Sequence, residues 1–229
     1  MQETAPDLRA HKDALYGELA AIGKAAASPR RLELLELLAQ APRSVDALAR
    51  ATDQSVANAS AHLQTLRHAG LVATRREGTR VWYRLAGDDV AELLITLREI
   101  AQRHLPSVER AARDYLESAG GALDHAEPVD RDELAARIDR GDVLVVDVRP
   151  VEEYAAGHIP GAANIPVDQL PDRLDDLPDD VEIVAYCRGP YCVFSAQAVA
   201  LLRERGLSAR RLVDGLPEWS LAGHPIERA

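Results

Sequence analysis

The chain has 229 residues, a formal net charge of −10, 47% hydrophobic and 28% charged residues. That length suits one large domain or two ordinary ones, and the composition excludes disorder as the main state. Residues 1–14 mix Glu3, Asp7, Arg9, Lys12 and Asp13 with no apolar run, so no signal or transit peptide is expected. No stretch reaches the roughly 18 apolar residues of a membrane span, and the expected compartment is the cytoplasm, without membrane contact. The 2 cysteines, Cys187 and Cys192, stand five positions apart. They are no disulfide framework of a secreted domain and are expected to do chemistry.

The charge is unevenly spread. Residues 1–120 hold 16 Lys and Arg against 16 Asp and Glu, whereas residues 121–229 hold 11 against 21 and carry the whole −10. Such asymmetry implies two domains with different partners. From Arg43 to Arg84, seven arginines face only Asp46, Asp53 and Glu77, a local basic patch of the size that meets phosphates.

Taken along the chain, Leu8, Leu15, Leu19 and Ile22 mark a first helix. Ser28-Pro29 is a helix start, with Ser as cap and Pro at the first helical position, and Leu32, Leu35 and Leu38 recur at helical spacing until Ala41-Pro42. Ser44 caps a short helix through Leu48. After the break at 51–54, Ser55 opens a third, with Val56, Ala59, Leu63 and Leu66 as its buried stripe and Gly70 as its end. Two short helices joined by a tight turn make a helix-turn-helix candidate. Residues 71–76 and 80–85 then read as a β-hairpin around Glu77-Gly78-Thr79. A helix-turn-helix followed by an Arg-rich hairpin is a winged helix, mainly α. Its recognition helix would offer Gln54, Ser55, Asn58, Ser60, His62 and Gln64 to a major groove, while Arg75, Arg76 and Arg80 reach flanking phosphates.

Residues 55–72, SVANASAHLQTLRHAGLV, with the wing RREGTRVWY at 75–83, resemble the ArsR-type winged-helix regulators over roughly residues 15–105. The resemblance implies a homodimeric repressor that leaves DNA when an inducer binds, with the DNA-facing Ser and His falling on Ser60 and His62. Metal sensing is not expected: the family's thiolate site needs Cys, which this half lacks. Its last-helix site would have only Asp88, Asp89, Glu92 and an isolated His104, from which a tetrahedral site does not close. From Val90 to Tyr115 an apolar 3–4 spacing continues, interrupted by Pro106. Together with the first helix it is the expected dimer interface, presenting two recognition helices to a pseudo-palindromic double-stranded operator.

Ser118 to Leu123 is a linker by composition. Beyond it the pattern becomes α/β. Strands are expected at 143–148, 181–186 and 211–213, with helices near 131–140, 151–156, 192–205 and 217–222 between them, giving a mostly parallel sheet. Ligands bind beyond the carboxyl ends of such strands. Cys187 sits there, and the loop Cys187-Arg188-Gly189-Pro190-Tyr191-Cys192 can turn backbone N–H groups and the following helix's positive end toward its sulfur. Cys187 is therefore expected to be a low-pKa nucleophile.

Residues 147–166, DVRPVEEYAAGHIPGAANIP, then Tyr186-Cys187-Arg188-Gly189, Val213-Asp214-Gly215 and Trp219 resemble a single rhodanese domain over about 124–229. The resemblance implies sulfur transfer, with Cys187 carrying a persulfide, Arg188 and Cys192 beside it, and Gly189, Pro190 and Tyr191 in the cradle. Asp147 and Arg149 are expected to brace the loop and first strand, and His158 to be structural. Thiosulfate-using rhodaneses often carry a cation where this chain has Cys192, which counts against efficient thiosulfate turnover. The loop also resembles those of cysteine phosphatases and arsenate reductases, but the arginine they need six positions after the Cys is Val193 here.

The expected organisation is a winged-helix DNA-binding and dimerisation domain over 1–118, a linker over 119–126 and a rhodanese-like domain over 127–229. No cofactor or metal is expected. Three functions are open: a repressor sensing reactive sulfur from a sulfane-sulfur donor through a Cys187 persulfide, a working sulfurtransferase tethered to a DNA-binding domain, and a repressor responding to arsenic(III) or oxidants.

Overall fold

The computed structural model describes residues 7–118 and 128–229; the expected linker lies outside them. The chain packs as two compact units, up to Ala91 and from Glu92 onward.

In the first unit, α1 (Leu8–Ala26) is capped by the Asp7 carboxylate, and α2 (Pro29–Gln40) starts with proline at its first turn. Ser28 holds the cap position of α2 through its carbonyl, which accepts from Leu32 N at 3.0 Å. Its side chain makes no cap bond, so that part of the expectation is corrected. Strand β1 (Arg43–Ser44) leads into α3 (Val45–Ala51), where Ser44 Oγ accepts from Ala47 N. The turn to α4 (Val56–His68) passes through Asp53 at φ 49°, a left-handed conformation that a short polar side chain tolerates. Leu34, Leu35, Leu48, Leu63 and Leu66 are fully buried and form the centre of this unit, each such burial being worth about 1.5–3 kcal/mol.

Val56 departs from the expected stripe: it is 47% exposed, because the first residue of α4 precedes the turn that packs. The wing is β2 (Val72–Glu77) and β3 (Arg80–Leu85), paired from Val72 opposite Leu85 to Glu77 opposite Arg80. Glu77 thus belongs to the ladder, leaving a two-residue turn in which Gly78 has φ 58°, as tight hairpins require. The sheet order is β1-β3-β2. At two residues, β1 is too short to leave a periodic signal.

Helix α5 (Asp88–His104) passes from the first unit into the second, and α6 (Pro106–Ser118) follows. Proline at the first position of α6 divides the expected long helix in two. In the second unit, α7 (Arg131–Arg140) is capped by Asp130 and ended by Gly141 at φ 69°. Next come β4 (Val143–Asp147), α8 (Val151–Ala156), β5 (Ala163–Asn164), a 3₁₀ turn (Leu170–Asp176), β6 (Glu182–Cys187), α9 (Val193–Glu204), β7 (Ala209–Gly215) and α10 (Leu216–Leu221). The described strands of this unit form a parallel sheet in the order β5-β4-β6-β7. Val146, Ile183, Ala185 and Leu202 fill one face, and Val145, Val184, Tyr186 and Trp219 the other. Burial on both faces explains the continuous apolar runs of β4 and β6. The sheet thereby delivers Cys187 to its carboxyl end.

Candidate functional site

The nucleophile position is fixed by a buried polar frame. The carboxylate of Asp147, at the end of β4, accepts from Arg149 Nη2 at 2.6 Å and from the Tyr186 hydroxyl at 2.5 Å. Both Asp147 and Arg149 are fully buried, and Arg149 Nη2 also donates to the Gly157 carbonyl at 2.7 Å. The Tyr186 hydroxyl in turn accepts from Ile159 N. Burial, and then the neighbouring Asp147 charge, push the Tyr186 hydroxyl far above its ordinary pKa, so it remains a neutral donor. The residue before Cys187 is thus held through its hydroxyl by Asp147 and Ile159. The His158 ring is buried, stacked on Tyr154 at 3.7 Å, with Nδ1 3.0 Å from the Tyr154 carbonyl oxygen.

Cys187 is 2% exposed and Cys192 half-buried, and the two are joined as a disulfide with Cα atoms 6.4 Å apart. Between them the chain turns tightly: Cys192 N donates to the Gly189 carbonyl at 3.0 Å. Cys192 is the N-cap of α9, so both sulfurs lie ahead of that helix's positive end. Arg188 turns back to Glu153, a fully buried carboxylate of α8, with Nη2 to Oε1 at 2.7 Å, and its guanidinium lies 5.0 Å from the Phe194 ring centre. Its charge therefore anchors the loop to α8. Arg211 Nη1 reaches the Pro190 carbonyl, and Tyr191 accepts from Gln102 Nε2 at 2.8 Å. Gly215 packs against the Arg188 carbonyl so closely that a Cβ there would overlap it, and Gly215 N donates to Glu218 Oε2 at 2.9 Å. Glu153, Glu218, Arg98 and Gln102 were not singled out from sequence. Each acts on a residue far away in the chain, and no local spacing announces that.

The second candidate site is α4 with the wing. Asn58, Arg75, Arg76 and Arg80 are exposed, while Ser60 and His62 are half-buried on α4. Three other candidates carry structural bonds. Ser55 Oγ caps α4 by accepting from Asn58 N, Gln54 Nε2 donates to Thr52 Oγ1 at 2.7 Å, and Gln64 Nε2 reaches the Tyr83 hydroxyl. Among the described residues no cluster of three or more His, Cys, Asp or Glu is placed to hold a metal ion, and no helix is long and apolar enough to cross a membrane.

Comparisons with known proteins cover both units. Residues 28–74 match the arsR family of bacterial regulatory proteins, and residues 130–222 match the rhodanese-like domain. The chain is 37% identical over 100 residues to a sulfurtransferase of Allochromatium vinosum, covering 43% of this chain and 92% of that protein. Among solved structures it is similar to the homodimeric winged helix-turn-helix DNA-binding domain of a possible ArsR-family regulator of Mycobacterium bovis. The identity is 47% and the TM-score 0.40, covering 46% of this chain and 94% of that one. It is also 50% identical over 216 residues to the HTH-type transcriptional regulator Rv0324 of Mycobacterium tuberculosis, across 94% of this chain and 93% of that protein. The chain belongs to the ArsR family of transcriptional regulators, with a rhodanese domain behind its winged-helix DNA-binding domain.

Proposed function

We propose that this regulator is a homodimeric repressor that senses sulfane sulfur at Cys187. One observation carries the reading: the chain's two cysteines are bonded to each other in the loop at the carboxyl end of β6. In the reduced loop, Cys187 lies ahead of α9 on a rigid strand end, a setting that favours the thiolate. The thiolate attacks the outer sulfur of a donor R–S–S⁻. A Cys187–sulfur bond forms, the donor's S–S bond breaks, and RS⁻ leaves with the electron pair. The Cys192 thiol then loses its proton and attacks Cys187 Sγ. The disulfide closes and the added sulfur leaves as hydrosulfide, so two thiols are oxidised and one sulfane sulfur is reduced.

Dimerisation rests on the exposed apolar residues of α1 and α5 and on the homodimeric state named for the M. bovis domain. Asn58, Ser60 and His62 would meet bases, and Arg75, Arg76 and Arg80 phosphates. The test is a gel-shift titration on operator DNA with and without a persulfide donor. Binding changes for the wild type and stays constant for Cys187→Ser; an unchanged wild type refutes the sensing role. A sulfurtransferase role is the second reading, favoured by the similarity to the A. vinosum enzyme. Arg188 being held by Glu153, the loop offers a thiosulfate dianion little charge, and thiosulfate-to-cyanide turnover is expected near background. Trivalent arsenic in the same gel shift separates the third function.

A further inference from the structure

The sensing role above leaves open how the cysteine loop could act on anything outside its own sheet. Within the second unit the loop is touched by α5. Arg98 forms an ion pair with Glu218, whose side chain is 4% exposed. The other oxygen of that carboxylate holds Gly215 N, and Gly215 is the backbone on which the Arg188 carbonyl rests. One turn further, Gln102 donates to the hydroxyl of Tyr191. Space at Gly189 gives the same picture: a Cβ there would sit 3.7 Å from Arg98 Nη1 and 3.8 Å from Glu218 Oε1. Residues 188, 189 and 191 are thus all read, directly or through Gly215, from two positions on α5.

At 100° per residue, Arg98 and Gln102 fall on the side of α5 opposite Leu93, Leu97 and Ile100. That second stripe stays 37%, 41% and 49% exposed in the single chain. The helix itself starts at Asp88, three residues after the wing strand β3 ends at Leu85. One helix therefore carries loop contacts on one side and an apolar stripe on the other, and it follows the wing in the chain.

We propose that Arg98 and Gln102 are positioning residues that couple the state of the Cys187–Cys192 loop to α5, and through it to DNA binding. The Cα atoms of the two cysteines are held 6.4 Å apart by the disulfide. Opening it to two thiols, or lodging an extra sulfur on Cys187, releases that restraint. The segment between the two sulfurs is 188–191, and the groups that meet it from α5 are Gln102 and the Arg98–Glu218 pair. A coupling needs contacts that differ between two states, and these contacts supply them. The proposal rests on the loop cysteines changing state, and only its persulfide form rests on the sensing role above.

The test uses the full chain and a DNA fragment selected in vitro by the reduced protein. Operator affinity is measured by fluorescence anisotropy for three forms: dithiol, disulfide, and protein treated with sodium polysulfide. Intact mass records whether polysulfide leaves sulfur on the protein or closes the disulfide with loss of hydrosulfide. Wild type is expected to differ by about tenfold or more between dithiol and at least one other form. Arg98→Ala combined with Gln102→Ala should give the same polysulfide product by mass yet retain less than about a threefold difference, while Arg98→Lys restores part of it. By reciprocity, operator DNA should shift the dithiothreitol midpoint of the wild-type disulfide and leave that of the double variant in place. A merely structural arginine would not produce that DNA-dependent shift. A double variant that keeps the wild-type difference overturns the coupling, as does a wild type indifferent to all three forms. A wild type that answers to the disulfide but is left as the dithiol by polysulfide upholds the coupling and refutes the persulfide.

Discussion

In the wing, Arg75 is 68% exposed and pairs with Glu77, another exposed side chain. In the rhodanese domain, Arg149 has no exposed surface, bonds Asp147 through two nitrogens, and reaches a backbone carbonyl besides. The same residue type thus stands as an exposed cation in one unit and a fixed strut in the other. The lesson concerns charge: only the exposed, weakly paired arginines contribute to the field a nucleic acid feels, and the −10 of the whole chain says little about it.

That contrast can be broken most severely at its buried end. Arg149→Ala leaves the buried Asp147 carboxylate without its counter-charge and the Gly157 carbonyl without the guanidinium donor, and should cost about 3–5 kcal/mol. In thermal denaturation, where two units give two transitions, only the rhodanese transition should fall. Leu63→Ala is the mirror experiment. Deleting a fully buried leucine of α4 should cost about 2–5 kcal/mol and lower only the winged-helix transition.

Weaker perturbations sharpen the exposed end. Arg75→Ala, Arg76→Ala and Arg80→Ala should leave both transitions in place. Each should weaken operator binding uniformly across sequences and reduce the salt slope by about 1. If one of them changes base preference instead, that arginine enters a groove. Ser44→Ala removes the cap of α3 and should lower the winged-helix transition by about 0.5–2 kcal/mol.

The smallest effect concerns pH. Burial alone would raise the Glu182 pKa, but hydrogen bonds from Arg210 and Arg137 outweigh it and hold the carboxyl below its ordinary range. A depressed folded pKa stabilises above the ordinary carboxylate value near about 4.3, and the gain is lost as pH falls through the folded value. The gap between wild type and Glu182→Gln in the rhodanese transition should therefore close in acid.

Much of this was legible in the chain because the signals were local. Caps at Ser44 and Ser55, the helix-ending Gly70, and the continuous runs of β4 and β6 all announce themselves within a few residues. Residues 55–83 and 147–189 also carry family patterns. What escaped was short or distant. Strands β1 and β5 have two residues each, and the 3₁₀ turn mixes leucines with aspartates. Glu153 and Glu218 look like surface carboxylates until the fold buries them against Arg188 and Arg98. Arg98, in turn, has the spacing of an ordinary solvated helix residue. Its partner lies 120 positions away.

A continuous α5 also fixes a phase. Each residue inserted between the wing and Arg98 turns the rest of the helix by about 100° relative to its beginning. One inserted alanine would swing Arg98 and Gln102 a quarter-turn or more out of alignment with the helix start, whereas seven would bring them back to within about 20°. Insertions that restore the phase should therefore preserve the proposed coupling better than insertions that do not.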